Sequence, residues 1–450
     1  MILGKKECIS YILRFLLILT SLSIFSCSLV EKKPAVVWTD SPELLIAAEM
    51  FNAQKKGNLL ELHFVEQPSL ELRQAIDGKK PLPSLVVGRG LRSPQLAEQF
   101  RPLDYLFGDS VFSRDSFYPG LLDEGMRGGK QFYLPLSFNL MLILNKKDGQ
   151  PAQNLESLEP SLPQSCISLE EIQRRSLQGK EGKGAKNAFM SFSPRWPDED
   201  FLFHWVQLRK ADFHEPEGAE LKGKGLGSRM LTWNEGALLP ALDELRNFTT
   251  AVNGSSAEED SFYFSYLFAP GYKNIETGRI LYAAMDSTEF FALAPATRAK
   301  FDFHYLADQD RLAVLEGIRY AGIPRRAEGR TSAEAFLAWY FTPENQEAIL
   351  AASRSLRLSE TSFGIAGGFS SLRTVTEDIF PRFYDDLESR LPPADTVRAP
   401  KPLPTSWEGL YKDVILPWLK AEAAQTPGSD IKEGLSGRLE AYLNRNPDIR

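Results

Sequence analysis

Residues 132–146 read FYLPLSFNLMLILNK, an apolar segment interrupted in its first half by Pro135, Ser137 and Asn139. A GGK turn precedes it and the polar run NKKDG ends it, so the segment has the length and boundaries of a buried strand. It is too short to span a membrane. The interruptions predict a strand that leaves one packed unit, crosses a gap and enters another, which would make this segment a hinge.

The composition is that of a folded chain with more than one compact unit. Of its 450 residues, 43% are hydrophobic and 25% are charged, so the chain can bury substantial cores, and its length favours two or more units. The formal net charge is -7, and the basic residues form no block. This distribution argues against nucleic acid as a partner and favours a small ligand.

Residues 1–26 have the organisation of an export signal peptide. A basic start precedes an apolar core at 15–25, and residues 24–27 read IFSC. This tetrad resembles a bacterial lipobox, which implies cleavage before Cys27, diacylglycerol on its thiol, an amino-terminal acyl chain such as palmitate, and a lipidated tether at 27–34. An uncleaved membrane anchor is the alternative, although the apolar run is short for a span. Both interpretations place the body of the protein outside the cytoplasm, attached to the bacterial cell membrane.

The next segments alternate strand and helix patterns. Residues 35–39, 59–65 and 85–87 have strand composition, and helical patterns that begin near serines lie between them. Such β-α-β-α-β order predicts a mostly parallel sheet covered by helices, with ligand space outside the carboxyl ends of the strands. Asp40 and Arg89 lie at those ends.

Several short motifs, each weak alone, occur in one order along the chain. They are LVVG at 85–88, FRPLD at 100–104, GKQFYLP at 129–135, LILNK at 142–146, GRILYAAM at 278–285, GIPR at 322–325 and TPENQ at 342–346. Their order and spacing resemble the family 1 extracellular solute-binding proteins, lipoprotein receptors of ABC importers whose members mostly bind sugars. Two positions depart from that pattern: Ser84 replaces an acid, and Phe290 stands where the aromatic residue is often Trp.

The resemblance implies a two-lobed, type II periplasmic-binding-protein-like α/β fold, in which each lobe is a mostly parallel sheet flanked by helices and hinge strands join the lobes. It implies an N-lobe of residues 35–136 and 301–342 and a C-lobe of 137–300 and 343–450. Further crossings between lobes are expected near 301–305 and before Thr342, and residues 407–419 and 429–443 match closing helices. A monomer of this kind closes its hinge on a sugar and delivers it to the permease transmembrane subunits.

Candidate ligand contacts lie at strand ends and crossings, because a sugar needs aromatic rings against its C–H faces and planar polar side chains for its hydroxyls. They are Asp40, Arg89, Phe138, Asn139, Trp196, Tyr263, Tyr266, Asp286, Ser287 and Tyr320. Asp286 and Ser287 match the cleft edge in the resembling family. Asp40 has the alternative of supporting the adjoining helix, and Trp196 and the tyrosines have the alternative of packing in the core.

Signals for catalysis or metal binding are scarce. The four histidines have no metal-ligand spacing, no G-x-S-x-G elbow is present, and the acid pairs lie in polar runs. If Cys27 carries lipid, Cys166 has no partner in the mature chain with which to form a disulfide. The sequence therefore predicts a binding protein without a metal or other cofactor, and not an enzyme. A surface lipoprotein that acts as a sensor or adhesin on the same scaffold is the alternative.

Overall fold

The computed structural model describes residues 34–54, 57, 59–108, 112–147, 162–181, 190–196, 200–222, 225–430 and 433–447. The export signal, Cys27 and most of the tether lie outside these residues, so their assignment stays a prediction. None of the helices in the described ranges has both the length and the apolar composition that a membrane span requires.

Thirteen strands can be assigned in the described residues, and they belong to two large sheets and one small hairpin. In chain order the strands are β1 (Ala35–Thr39), β2 (Leu60–Phe64), β3 (Leu85–Gly88), β4 (Met126–Arg127), β5 (Lys130–Gln131), β6 (Leu134–Phe138), β7 (Met141–Lys146), β8 (Cys166–Ile167), β9 (Tyr282–Asp286), β10 (Phe301–Asp308), β11 (Arg311–Leu312), β12 (Arg319–Gly322) and β13 (Phe369–Ser370).

Helices cover both sheets. They are α1 (Leu44–Ala53), α2 (Pro68–Asp77), α3 (Pro119–Leu122), α4 (Leu169–Glu181), α5 (Phe201–Leu208), α6 (Leu226–Met230), α7 (Glu235–Asn253), α8 (Ser256–Ser265), α9 (Gly271–Glu276), α10 (Ser287–Ala292), α11 (Pro295–Arg298), α12 (Arg330–Tyr340), α13 (Pro343–Ser355), α14 (Trp407–Leu410), α15 (Leu416–Ala423) and α16 (Leu435–Arg445). A π-helical turn, Tyr411–Ile415, joins α14 to α15.

The first lobe is built on a six-stranded sheet with the order β13-β6-β12-β3-β1-β2. β1 pairs in parallel with β2 and with β3, which confirms the predicted β-α-β-α-β unit. All four residues of β3 are buried, as expected of an apolar strand covered on both faces. β12, β6 and β13 join antiparallel.

The second lobe is built on the order β11-β10-β7-β9, with β8 beside β10. Here β7 pairs antiparallel with β9 and β10, and only the short β8 is parallel to its neighbour. The two-lobed α/β fold class is confirmed, but the expectation of mostly parallel sheets is wrong. The reason is that β7 enters this sheet from the first lobe and runs opposite to both of its neighbours.

The predicted hinge at 132–146 is confirmed as two strands, β6 in the first sheet and β7 in the second, joined by Asn139 and Leu140. Asn139 is 7% exposed. Its Nδ2 donates to the Gly367 carbonyl at 2.8 Å, and its Oδ1 accepts from Ser287 Oγ at 2.9 Å. The Leu140 amide donates to the same Ser287 oxygen at 3.1 Å. The crossing is therefore tied to both lobes.

Strand pairing corrects the expected lobe boundaries. β10 pairs with β7 from Phe301 opposite Lys146 to Tyr305 opposite Leu142, so 301–308 belong to the second lobe and are not a crossing. The return to the first lobe follows β11. Helix α13 packs on α1 of the first lobe, and β13 pairs with β6, so these elements also belong to the first lobe. The chain re-enters the second lobe in the tail before α14.

Aromatic side chains join the cores of the two lobes beside the crossing. Phe291 of α10 stacks on Phe363 with ring centroids 4.5 Å apart, and Phe363 meets Phe369 of β13 edge-on at 4.9 Å. All three are fully buried. The lobes thus share an apolar contact beside the crossing.

We expect Asn139→Ala to lower the free energy of unfolding by about 2 kcal/mol. The substitution leaves the buried Ser287 hydroxyl without its acceptor and leaves the Gly367 carbonyl with only the longer bond from Thr288 Oγ1, at 3.3 Å. Chemical denaturation measures this change. Asn446→Ala, which removes one side-chain bond beyond the end of α16, is the control and should change stability by less than about 0.5 kcal/mol. Equal effects of the two substitutions would show that these bonds do not hold the crossing.

Candidate ligand-binding cleft

A cavity of about 310 Å³ lies between the lobes, at the carboxyl ends of β1, β2 and β3. Asp40 and residues 66–69 and 89–93 form its first-lobe wall. Residues 400–411 of the tail form the facing wall, and 316–318 with Tyr320 line it beside the return crossing. This is the edge at which open α/β sheets bind ligands, since the loops after parallel strands converge there.

Asp40 holds two arginines beside the cavity. Its Oδ2 lies 2.8 Å from Arg89 Nε, and its Oδ1 lies 3.1 Å from Arg319 Nε. The Asp40 side chain is 3% exposed, whereas the Arg89 side chain is 55% exposed. Asp40 therefore positions Arg89, and the rest of the Arg89 guanidinium is the part of the pair that a ligand can reach.

Two aromatic rings form the opposite wall. Trp407 and Tyr411 are one helical turn apart and stack with ring centroids 5.3 Å apart and an interplanar angle of 29°. Phe203 of α5 supports both rings from behind, at 4.9 Å and 5.3 Å. Both cavity-lining rings are partly exposed, so they can receive the apolar face of a ligand.

A chain of polar side chains that passes through the buried His204 connects two residues of the cavity wall. Glu316 Oε1 lies 3.6 Å from His204 Nδ1, His204 Nε2 lies 3.6 Å from Asp200 Oδ2, and the Tyr411 hydroxyl donates to Asp200 Oδ1. Burial raises the pKa of Glu316 to about 7, although the positive charge of His204 acts to lower it. Burial by itself lowers the pKa of His204, but the two carboxylates raise it to about 9.

The lobes also touch directly across the cleft. Ser93 Oγ of the first lobe donates to Glu215 Oε2 of the second at 2.7 Å, and both side chains are buried. Gln67 Nε2 donates to Glu408 Oε2 at 2.9 Å. Burial raises the pKa of Glu215 to about 7, with the hydrogen bond from Ser93 acting in the opposite direction.

Six of the ten predicted site residues lie at the cavity or at the crossing. Asp40, Arg89 and Tyr320 line the cavity, although Tyr320 is 2% exposed and its hydroxyl donates to the Leu121 carbonyl. Asn139 and Ser287 bind each other at the crossing, as described above. Asp286 caps α10 through the Thr288 amide, and burial raises its pKa.

The other four predicted residues pack away from this cavity. Phe138 is fully buried between Tyr118 and Phe369, because it is on the core face of β6. Trp196 is 8% exposed and stacks on Phe262. Tyr266 packs on the same Phe262, and Tyr263 is partly buried against the core. At Trp196, Tyr263 and Tyr266 the structure therefore agrees with the alternative that these side chains pack in the core.

Trp407 and Tyr411 are cavity residues that the sequence analysis did not identify, as are Glu66, Gln67 and Glu408. The segment of the two aromatic residues has the apolar periodicity of a closing helix, which Leu410, Val414 and Trp418 satisfy as buried residues. The sequence feature that could have identified Trp407 and Tyr411 is a pair of aromatic residues four positions apart, on the other face of that helix and directly after a proline-rich connection. Glu316 was missed because it is a single acid in a loop.

No known protein family matches this sequence by its family profile, and no curated protein matches it in sequence. Solved structures share its fold. The sugar-binding protein MalE from Xanthomonas citri is 13% identical, with a TM-score of 0.59 over 93% of this chain and 97% of its own. An extracellular solute-binding protein family 1 structure from Alicyclobacillus acidocaldarius is 12% identical, with a TM-score of 0.57 over 93% and 98%.

A third structure, an ABC substrate-binding protein of Listeria monocytogenes in complex with cycloalternan, is 13% identical. Its TM-score is 0.57 over 93% of this chain and 100% of its own. These neighbours are binding proteins, and the match extends over nearly the whole chain in each case. The chain therefore has the MalE-like, two-lobed fold of solute-binding proteins, as the sequence resemblance predicted.

We expect the contact between the lobes to weaken as the pH rises, because above its pKa of about 7 Glu215 must be buried as a carboxylate. Because the pKa of Glu215 in the folded protein lies above its ordinary value near 4.5, this group contributes stability that is fully present below pH 4.5. That contribution is lost as the pH rises through about 7. Small-angle scattering should give a larger radius of gyration at about pH 8 than at about pH 5.

Glu215→Gln should remove this pH dependence, because the amide stays neutral and can still accept from Ser93. Glu235→Gln, which alters an exposed acid of the same lobe, is the matched control and should retain it. A wild-type radius that does not change with pH would contradict the role given to Glu215.

Proposed function

We propose that this chain is an extracytoplasmic solute-binding protein that takes a small carbohydrate in the cleft and delivers it to an ABC import permease. The observation that carries the proposal is the stacked pair Trp407 and Tyr411, which faces the Asp40-bound Arg89 across a cavity between two hinged lobes. The fold shared with sugar-binding proteins supports the same conclusion.

The chemistry of the walls suits a sugar. The aromatic faces receive the C–H surface of a pyranose ring and remove it from water. Arg89, Gln67 and the carboxylates of the wall offer the planar donors and acceptors that hydroxyl groups need once water is excluded. A cavity of about 310 Å³ is at the small end of the range for ligand pockets, which favours a mono- or disaccharide.

The cleft provides a mechanism for closure. One wall belongs to the first lobe and the aromatic wall to the second, so a ligand that touches both walls binds the closed form better than the open form. This difference in affinity shifts the population towards closure. The closed form would present both lobes together to the permease subunits.

The anchor is the second part of the proposal. The lipobox-like residues before Cys27 support lipid attachment at that thiol, and more than one acyl chain holds a soluble domain at a membrane stably.

We expect Cys27→Ser to move the protein from the membrane fraction to the soluble fraction of a cell lysate. Cys166→Ser is the control and should leave it in the membrane fraction. Retention of Cys27→Ser at the membrane would favour an uncleaved anchor.

We expect Trp407→Ala to weaken sugar binding by about tenfold to a hundredfold, because a lost stacking surface costs about 1.5 to 3 kcal/mol. A thermal-shift screen with sugars, polyols, phosphorylated polyols and peptides finds the ligand first, since binding to the folded form raises its melting temperature. Titration calorimetry then compares the variants. Trp196→Phe, which keeps an aromatic ring in the core, is the control and should bind as the wild type does.

Two results would overturn the proposal. Trp407→Ala with unchanged affinity would remove the aromatic wall from the site. A wild-type protein that responds to no member of the panel would favour a sensor or adhesin on this scaffold.

A further inference from the structure

The charges that line the cleft are not balanced. Each lining cation has a carboxylate partner: Arg89 has Asp40 at 2.8 Å, Arg92 has Glu124 at 3.1 Å and Lys401 has Asp212 at 3.7 Å. Three lining carboxylates differ, because within the described ranges no lysine or arginine lies within ion-pair distance of Glu66, Glu316 or Glu408. Arg319 also binds Asp40, and the His204 imidazolium lies beside Glu316. Even so, four carboxylates line the cavity against three cations, so its lining carries an excess of negative charge.

Glu316 is the most constrained of the three. Its side chain is 19% exposed and lines the cavity, while its Oε1 is buried without a hydrogen bond. The nearest cation is the His204 imidazolium, 3.6 Å away, and His204 is shared with Asp200. Burial leaves this carboxylate poorly solvated, so a ligand that supplies positive charge would stabilise it.

The aromatic wall adds to the same preference. The faces of Trp407 and Tyr411 carry negative electrostatic potential and attract cations, with a contribution of about 0.5 to 2 kcal/mol depending on desolvation. Glu408 lies next to Trp407 in the chain, and its carboxylate also lines the cavity. Aromatic rings and carboxylates without a lysine or arginine partner are together the groups that recognise an ammonium.

We propose that the solute is a sugar that carries a protonated amine, held between the aromatic wall and the carboxylates of Glu66, Glu316 and Glu408. This inference rests on the proposed function and names the class of sugar. The amine replaces the missing positive charge, and the ring hydroxyls bond to Arg89 and Gln67. Sugar phosphates and uronic acids are disfavoured, because their anions would approach three carboxylates that have no lysine or arginine partner, and Arg89 is already paired with Asp40.

Sugars that share a ring skeleton and carry an amine, no charge or a carboxylate test the proposal. Titration calorimetry compares D-glucosamine with D-glucose and D-glucuronate, D-galactosamine with D-galactose and D-galacturonate, and the β-1,4 disaccharide of glucosamine with cellobiose. For a skeleton that binds, the amine form should bind about tenfold more tightly than the neutral form, and the acid most weakly. Added salt should reduce the advantage of the amine, because it screens charge.

Glu316→Gln keeps the size of the side chain and removes its charge. It should reduce the ratio of amine to neutral affinity by about tenfold, whereas Glu49→Gln, an exposed acid of α1 away from the cleft, should leave that ratio unchanged. Neutral sugars that bind the wild type as tightly as their amine forms overturn this inference alone. Failure of all three charge classes to bind, together with no response to the thermal-shift panel, overturns the proposed function as well.

Discussion

The hydrogen bonds of Asn139 hold together the point on which the two-lobed structure depends. At this position the chain leaves one sheet and enters another, and its amide joins the carbonyl of Gly367, beside β13 of the first sheet, to the hydroxyl of Ser287, which follows β9 of the second. A crossing buried among aromatic side chains can satisfy its polar groups only through such specific partners. The geometry of the cleft depends on this junction, since the lobes that carry the two walls are joined there.

Much of the first lobe follows from local sequence. The alternation over residues 35–88 gives the parallel strands because apolar runs such as LVVG are buried on both faces, and the turn after β3 places Arg89 at the ligand edge. The crossing at 139–140 follows from polar residues within an apolar run. The directions of the strands in the second lobe could not be predicted from local sequence. The apolar pattern of β10 is the same whether this strand pairs with β7 or crosses between the lobes.

The site was predicted less completely than the fold. Arg89 and Asp40 were found because strand ends have a fixed relation to the ligand edge. Trp196, Tyr263 and Tyr266 have the composition of a sugar-binding platform, but Trp196 and Tyr266 pack on Phe262 and Tyr263 is partly buried against the core. A run of aromatic residues does not indicate which other side chains cover it. Trp407 and Tyr411 come from the tail, more than three hundred residues from Arg89, and only the folded chain brings them to one cavity.

The connectivity of the lobes has a consequence for biosynthesis. The second lobe draws on residues from β7 near position 141 to α16 near position 445, and α16 packs on α6 while α15 packs on α5. Contacts so distant in sequence form late, because the loop between them must close first. A nascent chain would thus carry an incomplete second lobe until its last helices are made. Because each lobe is built from separate stretches of the chain, no single proteolytic cut would release either lobe as an intact folding unit.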